Sequence, residues 1–420
     1  MKRLAMVSAV NPYPTDAGKK VVLAGLLDYF VTRLSAQNVH YLLIGGKTEV
    51  PFPVSLTQIN GPTPYRALMN LIGRTAVGQR SIQEAFLWSR STHRAVNRWF
   101  QEVDAHIEIY DTVRTAQFAS ESAGPTRICY MDDLFSERYA SMLSTLRADK
   151  TIRFRPLGNF GAHVPQQLHF LTENPITQKA LLTAEARLVA KSENNVARIF
   201  DRCLLVNEHE TELLQKRGGA SAQSVKTISP LVKTPAMVKR DYRGAPQFLF
   251  LGLLSLPHND YGLRSFISDT WPLVLRRMPG AQLKVIGREP QPELSAAISK
   301  YGAGSISLQG FVPDLRSLMS QSAAMVNPLR FGSGIKLKIV EALGQRLPVV
   351  SSEIGASGVL SGPENGVLLA KEPEEWVDHL EQLTSSRHNS DVSAAAEAHF
   401  ARIYSREAVF ASYDNIFGLG

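Results

Sequence analysis

The residue types best suited to chemistry are concentrated between Asn327 and Glu341. Gly332 and Gly334 would let the backbone approach a ligand closely, and a helix opening there would aim free N–H groups and its positive end at an anion. Lys336 and Lys338 add cationic donors. Glu341 follows Lys338 by about one helical turn and shares its face, where a carboxylate can accept from paired ribose hydroxyls. The set suits a diphosphate joined to a ribose, with a helix terminus at Gly334. A plain turn with Glu341 paired to Lys338 fits the same residues, and the run alone leaves both readings open.

A second candidate lies at Asp132 and Asp133, where an apolar run beginning at Ile128 gives way to polar residues. Parallel α/β sheets place function at such strand ends. A carboxylate there could take or orient the proton of an acceptor hydroxyl. The competing reading is that the two acids cap the next helix and pair with Arg138. Asp111 is a weaker candidate of the same kind. Gly18 closes a Pro-rich loop at the start of a helix and can offer its N–H to an oxyanion. Arg288 follows a strand ending at Ile286-Gly287 and is either a second cation for that charge or a solvated surface residue.

Parallel sheets would have to position these groups. Short apolar runs alternate with amphipathic stretches along most of the 420 residues, a length that suits two or three domains. In the first half, 4–10, 39–44, 105–110, 127–130 and 203–206 are expected as strands, and 21–34, 82–100 and 179–200 as helices. In the second half the strands are expected at 247–251, 282–286, 305–308, 323–326 and 348–351, with helices at 262–277 and 315–321. Pro230, Pro235 and Pro246 bracket a charged stretch that reads as a linker. The expected organisation is an acceptor-binding Rossmann-like domain over 1–235, a donor-binding one over 236–393, and C-terminal helices over 394–420 that pack back on the first domain. The fold class is α/β, with two doubly wound domains facing a central cleft.

Residues 1–240 hold 30 Lys and Arg against 20 Asp and Glu, whereas the remainder holds 16 against 18. The basic half favours an anionic partner. Arg74, Arg80, Arg90, Arg94 and Arg98, interspersed with Phe86, Trp88, Trp99 and Phe100, suit an anionic bilayer surface. The rival reading makes the aromatics core and the arginines a solvated face. No nucleic-acid recognition motif is present. Cys129 and Cys203 are too few for a disulfide framework or a zinc site. With no apolar run of spanning length, a cytoplasmic protein is expected, peripheral on the inner face of the plasma membrane.

Residues 247–360 resemble the donor domain of GT-B glycosyltransferases, in the large retaining bacterial family known as glycosyltransferases group 1 (family four). The matching blocks include Phe250 to Gly252, Pro257 to Asn259, Val285 to Gly287, Leu308 to Val312, Asn327-Pro328, Gly332 to Gly334, Lys338, Glu341, Pro348 to Ser351, Gly355 and Gly358. The resemblance implies a nucleotide-sugar-dependent hexosyltransferase of envelope polysaccharide synthesis that acts on a saccharide or lipid-linked saccharide with retention of configuration. It places Gly252 and Gly18 near the donor phosphates, Phe311 and Val312 at the base, Gly332, Ser333, Gly334 and Ile335 at the diphosphate or transferred sugar, and Glu341 at the ribose. Ser333 stands where many members carry a glutamate that contacts the sugar, and the loop after the first C-terminal strand lacks the family's Arg and Lys. Lys336, Lys338 or Arg288 would compensate. No cofactor and no metal are expected, the adjacent Asp132 and Asp133 being unlike a spaced Asp-x-Asp. The rival readings are a non-catalytic sugar-nucleotide-binding subunit, which Ser333 favours, and a nucleotide-sugar epimerase or a phosphorylase on the same fold.

Overall fold

The computed structural model describes residues 2–420 apart from 47, 71–72, 74, 76–79, 120–123, 149–174, 220–223 and 234–237. Arg74, Pro235 and the expected boundary at 235 therefore lie outside the described residues. The chain divides into two compact units. The first takes the described residues of Met1–Ala148 and Phe154–Leu231 together with Phe410–Gly420, and the second those of Val232–Val409.

The first unit carries a seven-stranded sheet in the order β3-β2-β1-β4-β5-β6-β7. Its strands are β1 (Leu4–Ser8), β2 (Val39–Ile44), β3 (Ser55–Ile59), β4 (Ile107–Asp111), β5 (Thr126–Asp132), β6 (Arg202–Leu205) and β7 (Val225–Thr227), and every pairing is parallel. The second unit carries six strands in the order β10-β9-β8-β11-β12-β13. These are β8 (Gln247–Leu251), β9 (Gln282–Ile286), β10 (Ile306–Leu308), β11 (Ala324–Asn327), β12 (Val349–Ser351) and β13 (Val367–Leu369), again all parallel. Both orders are doubly wound, with the strand direction of travel reversing between β1 and β4 and between β8 and β11. Such switch points open a crevice at the carboxyl ends of the strands.

Continuous apolar runs form these strands because helices cover both faces of each sheet. In β8, Phe248 and Phe250 enter one core with Trp271 and Val285. The alternate residues Leu249 and Leu251 enter the other with Met325, Ile339 and Leu343. In the first unit Val7, Leu42, Tyr110 and Cys129 meet Trp99 and Phe100 in one core. Cys129 and Cys203 are register partners on β5 and β6, both free and buried. Phe410–Gly420 closes the first unit: Tyr413 lies 5.1 Å from the Tyr29 ring, and Arg33 pairs with Asp414 at 2.5 Å.

Several expectations need correction. The stretch 82–100 is two helices, Ile82–Leu87 and Arg90–Val103, because Ser89 leaves the helical conformation and its side chain caps the second through Thr92 N–H. Three short strands, β3, β7 and β13, were not expected. The helix expected over 262–277 is two, Pro257–Ser265 and Trp271–Arg277, joined by one wide turn at Phe266–Thr270. The C-terminal helices expected over 394–420 are Ser386–Ile403 and Arg406–Phe417, but only Phe410–Gly420 joins the first unit, the residues up to Val409 belonging to the second.

Candidate active site

The carboxyl-end loops of the second unit are tied to one another. Gly252 N–H donates to Ile286 O at 3.1 Å, Leu254 N–H to Arg288 O at 2.9 Å, and Gly287 N–H to Gly310 O at 2.8 Å. A side chain on Gly252 would run into Asn259, whose Nδ2 would stand 2.7 Å from the new Cβ. This lacing holds Arg288 and Phe311 side by side, the guanidinium 4.6 Å from the ring centroid. Phe311 is 62% exposed, unusual for a large aromatic. Val312 packs part-buried against the core beneath.

The turn after β11 carries the glycine loop. Gly332 and Gly334 have φ of +135° and +66°, values that residues with a Cβ rarely adopt. The helix that follows spans Leu337–Gly344, so it opens three residues later than the expected terminus at Gly334. The intervening residues are committed to closing the loop: Lys336 Nζ donates to Ser333 O and Gly334 O, each at 2.7 Å. The first N–H groups of this helix have no intrahelical acceptor, and Ile335 sits part-buried beside them.

Lys338 turns inward. Its Nζ donates to Leu251 O at 2.9 Å and Asn259 Oδ1 at 3.1 Å, and lies 4.5 Å from the Phe250 ring centroid. Burial, reinforced by the charge of Lys336 and opposed by Glu341, pushes its ammonium down to about 7. Glu341 is half-buried, and burial raises its carboxyl against the pull of Lys338. No ion pair joins the two among the described residues. A pocket of about 300 Å³ opens beside this loop at the ends of β11, β12 and β13, bounded by Leu329, Arg330, Ile354 and Trp376.

In the first unit the strand ends gather a different set. Asp111, at the end of β4 and fully buried, accepts from Ser8 Oγ of β1 at 2.5 Å and pairs with Lys19 Nζ at 2.7 Å. Asp132, at the end of β5, accepts from Tyr130 Oη at 2.7 Å and stands 3.6 Å from the same ammonium. A register shift between Tyr130 and Asp132 re-aims the chain here, and Asp132 takes a φ of +69°. Burial raises the Asp132 carboxyl, while Lys19 lowers it. Asp133 points elsewhere: it is buried and held by both oxygens to Arg138 at 2.6 and 2.7 Å. In the first turn of the next helix, Phe135–Ala148, Ser136 N–H donates to Glu193 at 3.1 Å. Gly18 is exposed and opens the helix Gly18–Leu34.

The structure thus groups Gly252, Arg288, Phe311, Val312, Gly332, Ser333, Gly334, Ile335, Lys336, Lys338 and Glu341 around the strand ends of the second unit. Asp132 is set with Asp111 around Lys19, whereas Asp133 is paired with Arg138. Lys19, Ser8 and Tyr130 escaped the sequence reading. Lys19 is adjacent to Gly18, but its acidic partners come from strands far along the chain.

The aromatic part of the bilayer expectation fails. Phe86, Trp99 and Phe100 are buried and Trp88 packs part-buried, while Arg90, Arg94 and Arg98 line one exposed helix face. No described helix is long and apolar enough to cross a membrane. No group of three His, Cys, Asp or Glu able to hold a metal ion occurs among the described residues.

Comparisons with known proteins agree with this geometry. Over the whole chain the fold is similar to sucrose-phosphate synthase from Thermosynechococcus elongatus, with a TM-score of 0.66, 12% identity, and 100% and 98% of the two chains covered. It is similar to TarM at a TM-score of 0.65 and 10% identity, covering 99% of each chain. It is also similar to Anabaena Alr3699/HepE in complex with UDP, at a TM-score of 0.62 and 11% identity with both chains covered in full. At these identities the likeness establishes the fold, which is GT-B. A Klebsiella pneumoniae protein described as "Uncharacterized 44.6 kDa protein in cps region" is 25% identical over 251 residues, 58% of this chain. The match spans 63% of that relative's length. The chain therefore has the GT-B fold, and its residues 245–386 match the family described as glycosyl transferases group 1.

Proposed function

We propose that the protein transfers a hexose-type sugar from a nucleoside-diphosphate sugar to a hydroxyl of a saccharide or lipid-linked saccharide in envelope polysaccharide synthesis, with retention of configuration. The observation that carries this reading is the glycine loop at Gly332 and Gly334, which leads into a helix bearing the half-buried Glu341. The cps-region relative and the UDP named in the HepE complex support the pathway and the donor class.

In this reading the diphosphate sits against the helix start at Leu337 and the backbone of Gly332–Ile335, where fixed N–H dipoles favour negative charge. Glu341 accepts from the ribose hydroxyls. Phe311 and Val312 meet the base, with Arg288 beside it. As the acceptor oxygen bonds to the anomeric carbon, the bond from that carbon to the phosphate oxygen breaks. The nucleoside diphosphate leaves with the electron pair, and stabilising its charge is the main electrostatic task. The acceptor proton passes to Asp132. The reaction needs no resident cofactor or metal, so a chelator leaves the rate unchanged. The protein works in the cytoplasm at the inner membrane face, its exposed arginines meeting anionic lipid.

The test is calorimetric titration of the full chain with UDP, GDP, ADP and TDP, beside Glu341→Ala. One nucleoside diphosphate binds, and the variant loses roughly ten-fold or more, as for a hydrogen bond to a charged group. No binding to any of the four overturns the reading. Ser333, in place of a family glutamate, favours one other: a non-catalytic nucleotide-binding subunit. Binding without turnover of any donor sugar would support it.

A further inference from the structure

The ammonium of Lys19 is shared between two carboxylates that arrive from different strands. It lies 2.7 Å from Asp111 Oδ1 and 3.6 Å from Asp132 Oδ2, and 5.5 Å from the centroid of the Tyr130 ring. Asp111 is already fixed on its other oxygen by Ser8, and Asp132 by Tyr130. The two acids end neighbouring strands beside the β1–β4 switch point, where a doubly wound sheet places its ligand. Side-chain exposure is 0% for Asp111, 16% for Asp132 and 19% for Lys19, and the Lys19 Nζ itself is buried, so of the three only the Asp132 side chain brings its charged end toward solvent.

Left-handed backbone at non-glycine residues marks the same spot: Thr112 has φ +68° and Asp132 +69°. Such conformations cost on the order of 1–3 kcal/mol and cluster where the surroundings hold a functional group in place. Two carboxylates this close cannot both stay ionised in a low-dielectric site without a cation.

We infer that Lys19 is a positioning residue of the acceptor site, its ammonium anchored on Asp111 and holding the Asp132 carboxylate ionised and in one orientation. This rests on the assignment of Asp132 to the acceptor hydroxyl. Asp111 is then an internal counter-charge that fixes Lys19 and has no direct role toward substrate. The remaining groups facing Asp132 are accounted for. Asp133 opposes its charge, yet is matched by Arg138 at 2.6 Å. Arg114, in the helix Thr112–Ala116, is buried and adds a favourable field on both Asp111 and Asp132. Tyr130 stays a neutral donor because burial and the neighbouring Asp132 raise its phenol.

The test reads Asp132 directly and needs no substrate. The full chain is labelled with carboxyl-¹³C aspartate, and the Asp132 resonance is assigned by its loss in Asp132→Asn. Its titration is then followed in the wild type, Lys19→Met and Asp111→Asn. An opposite charge at this distance typically lowers a carboxyl by about 1–3 units. Lys19→Met therefore moves the Asp132 midpoint up by about one unit or more. Asp111→Asn moves it down, because a like charge is removed and the ammonium is free to close on Asp132. A midpoint unchanged in Lys19→Met overturns the inference. Should that variant not fold, an unmoved or raised midpoint in Asp111→Asn overturns it. The nucleotide titrations probe the other unit, so the two readings fail separately.

Discussion

Gly287 and Gly252 are packed so closely that a Cβ on Gly287 would overlap the Gly252 carbonyl oxygen. The contact fixes the loop after β9 against the loop after β8, and Gly287 N–H then ties in Gly310 beyond β10. Gly287→Ala must push the loops apart, and overpacking of this kind costs about 1–3 kcal/mol. The expected outcome is a melting temperature lower by several degrees and nucleoside diphosphate affinity reduced further than stability explains. Gly280→Ala, where a Cβ meets nothing within 4 Å, is the matched control in thermal and calorimetric runs.

Lys338 gives the second unit a particular pH response. Its ammonium titrates near 7 in the folded chain, against an ordinary value of 10.5. Between those values the unfolded chain binds the extra proton, so stability rises with pH across that window. Denaturant unfolding between about pH 7 and pH 10 should show this rise, and Lys338→Met should flatten it. The variant also strands Leu251 O and Asn259 Oδ1, so the slope rather than the absolute stability is the readout. A slope equal to the wild type's would remove Lys338 as its source.

The first unit responds with the opposite sign in acid. The helix Pro175–Ile199 presents Glu185, which accepts from Ile82 N–H at 2.6 Å and Gln83 N–H at 3.3 Å and so caps the helix Ile82–Leu87. Burial raises this carboxyl to about 7, against those two hydrogen bonds. The folded pKa lies above the unfolded one, so the contribution is full below the ordinary value of 4.5 and lost as pH rises through 7. Glu185→Gln should make the fall in stability between those pH values shallower, as read by unfolding curves across the range.

The sheets were legible because strands buried on both faces carry near-continuous apolar runs, as in β1 and in Phe248–Leu251 of β8. The strands that escaped lack that signal: β3 is part-exposed along its length, and β7 and β13 span three residues each. The glycine loop was legible because Gly332 and Gly334 have few other uses before a helix. Its exact junction with the helix was not, since Lys336 folds back on Ser333 and Gly334 and delays the start. Asp132 could be read from its place at a strand end. Its division of labour with Asp133 could not, because it depends on which acid Arg138 reaches and which Lys19 reaches.

Phe311 offers the sharpest separation of the donor's parts. It is largely exposed, and the guanidinium of Arg288 lies over it. An exposed cation–π pair is worth only about 0.5–1 kcal/mol, too little to account for keeping a large ring in solvent. A nucleobase stacked on such a ring gains about 1–3 kcal/mol. Phe311→Ala should therefore weaken nucleoside diphosphate binding by roughly five- to a hundred-fold while leaving inorganic diphosphate binding unchanged. Arg288→Ala, which removes charge as well as stacking, should weaken both. Calorimetric titration of each variant with the nucleoside diphosphate and with inorganic diphosphate gives the comparison. Equal losses for the two ligands in Phe311→Ala would move the base away from this ring.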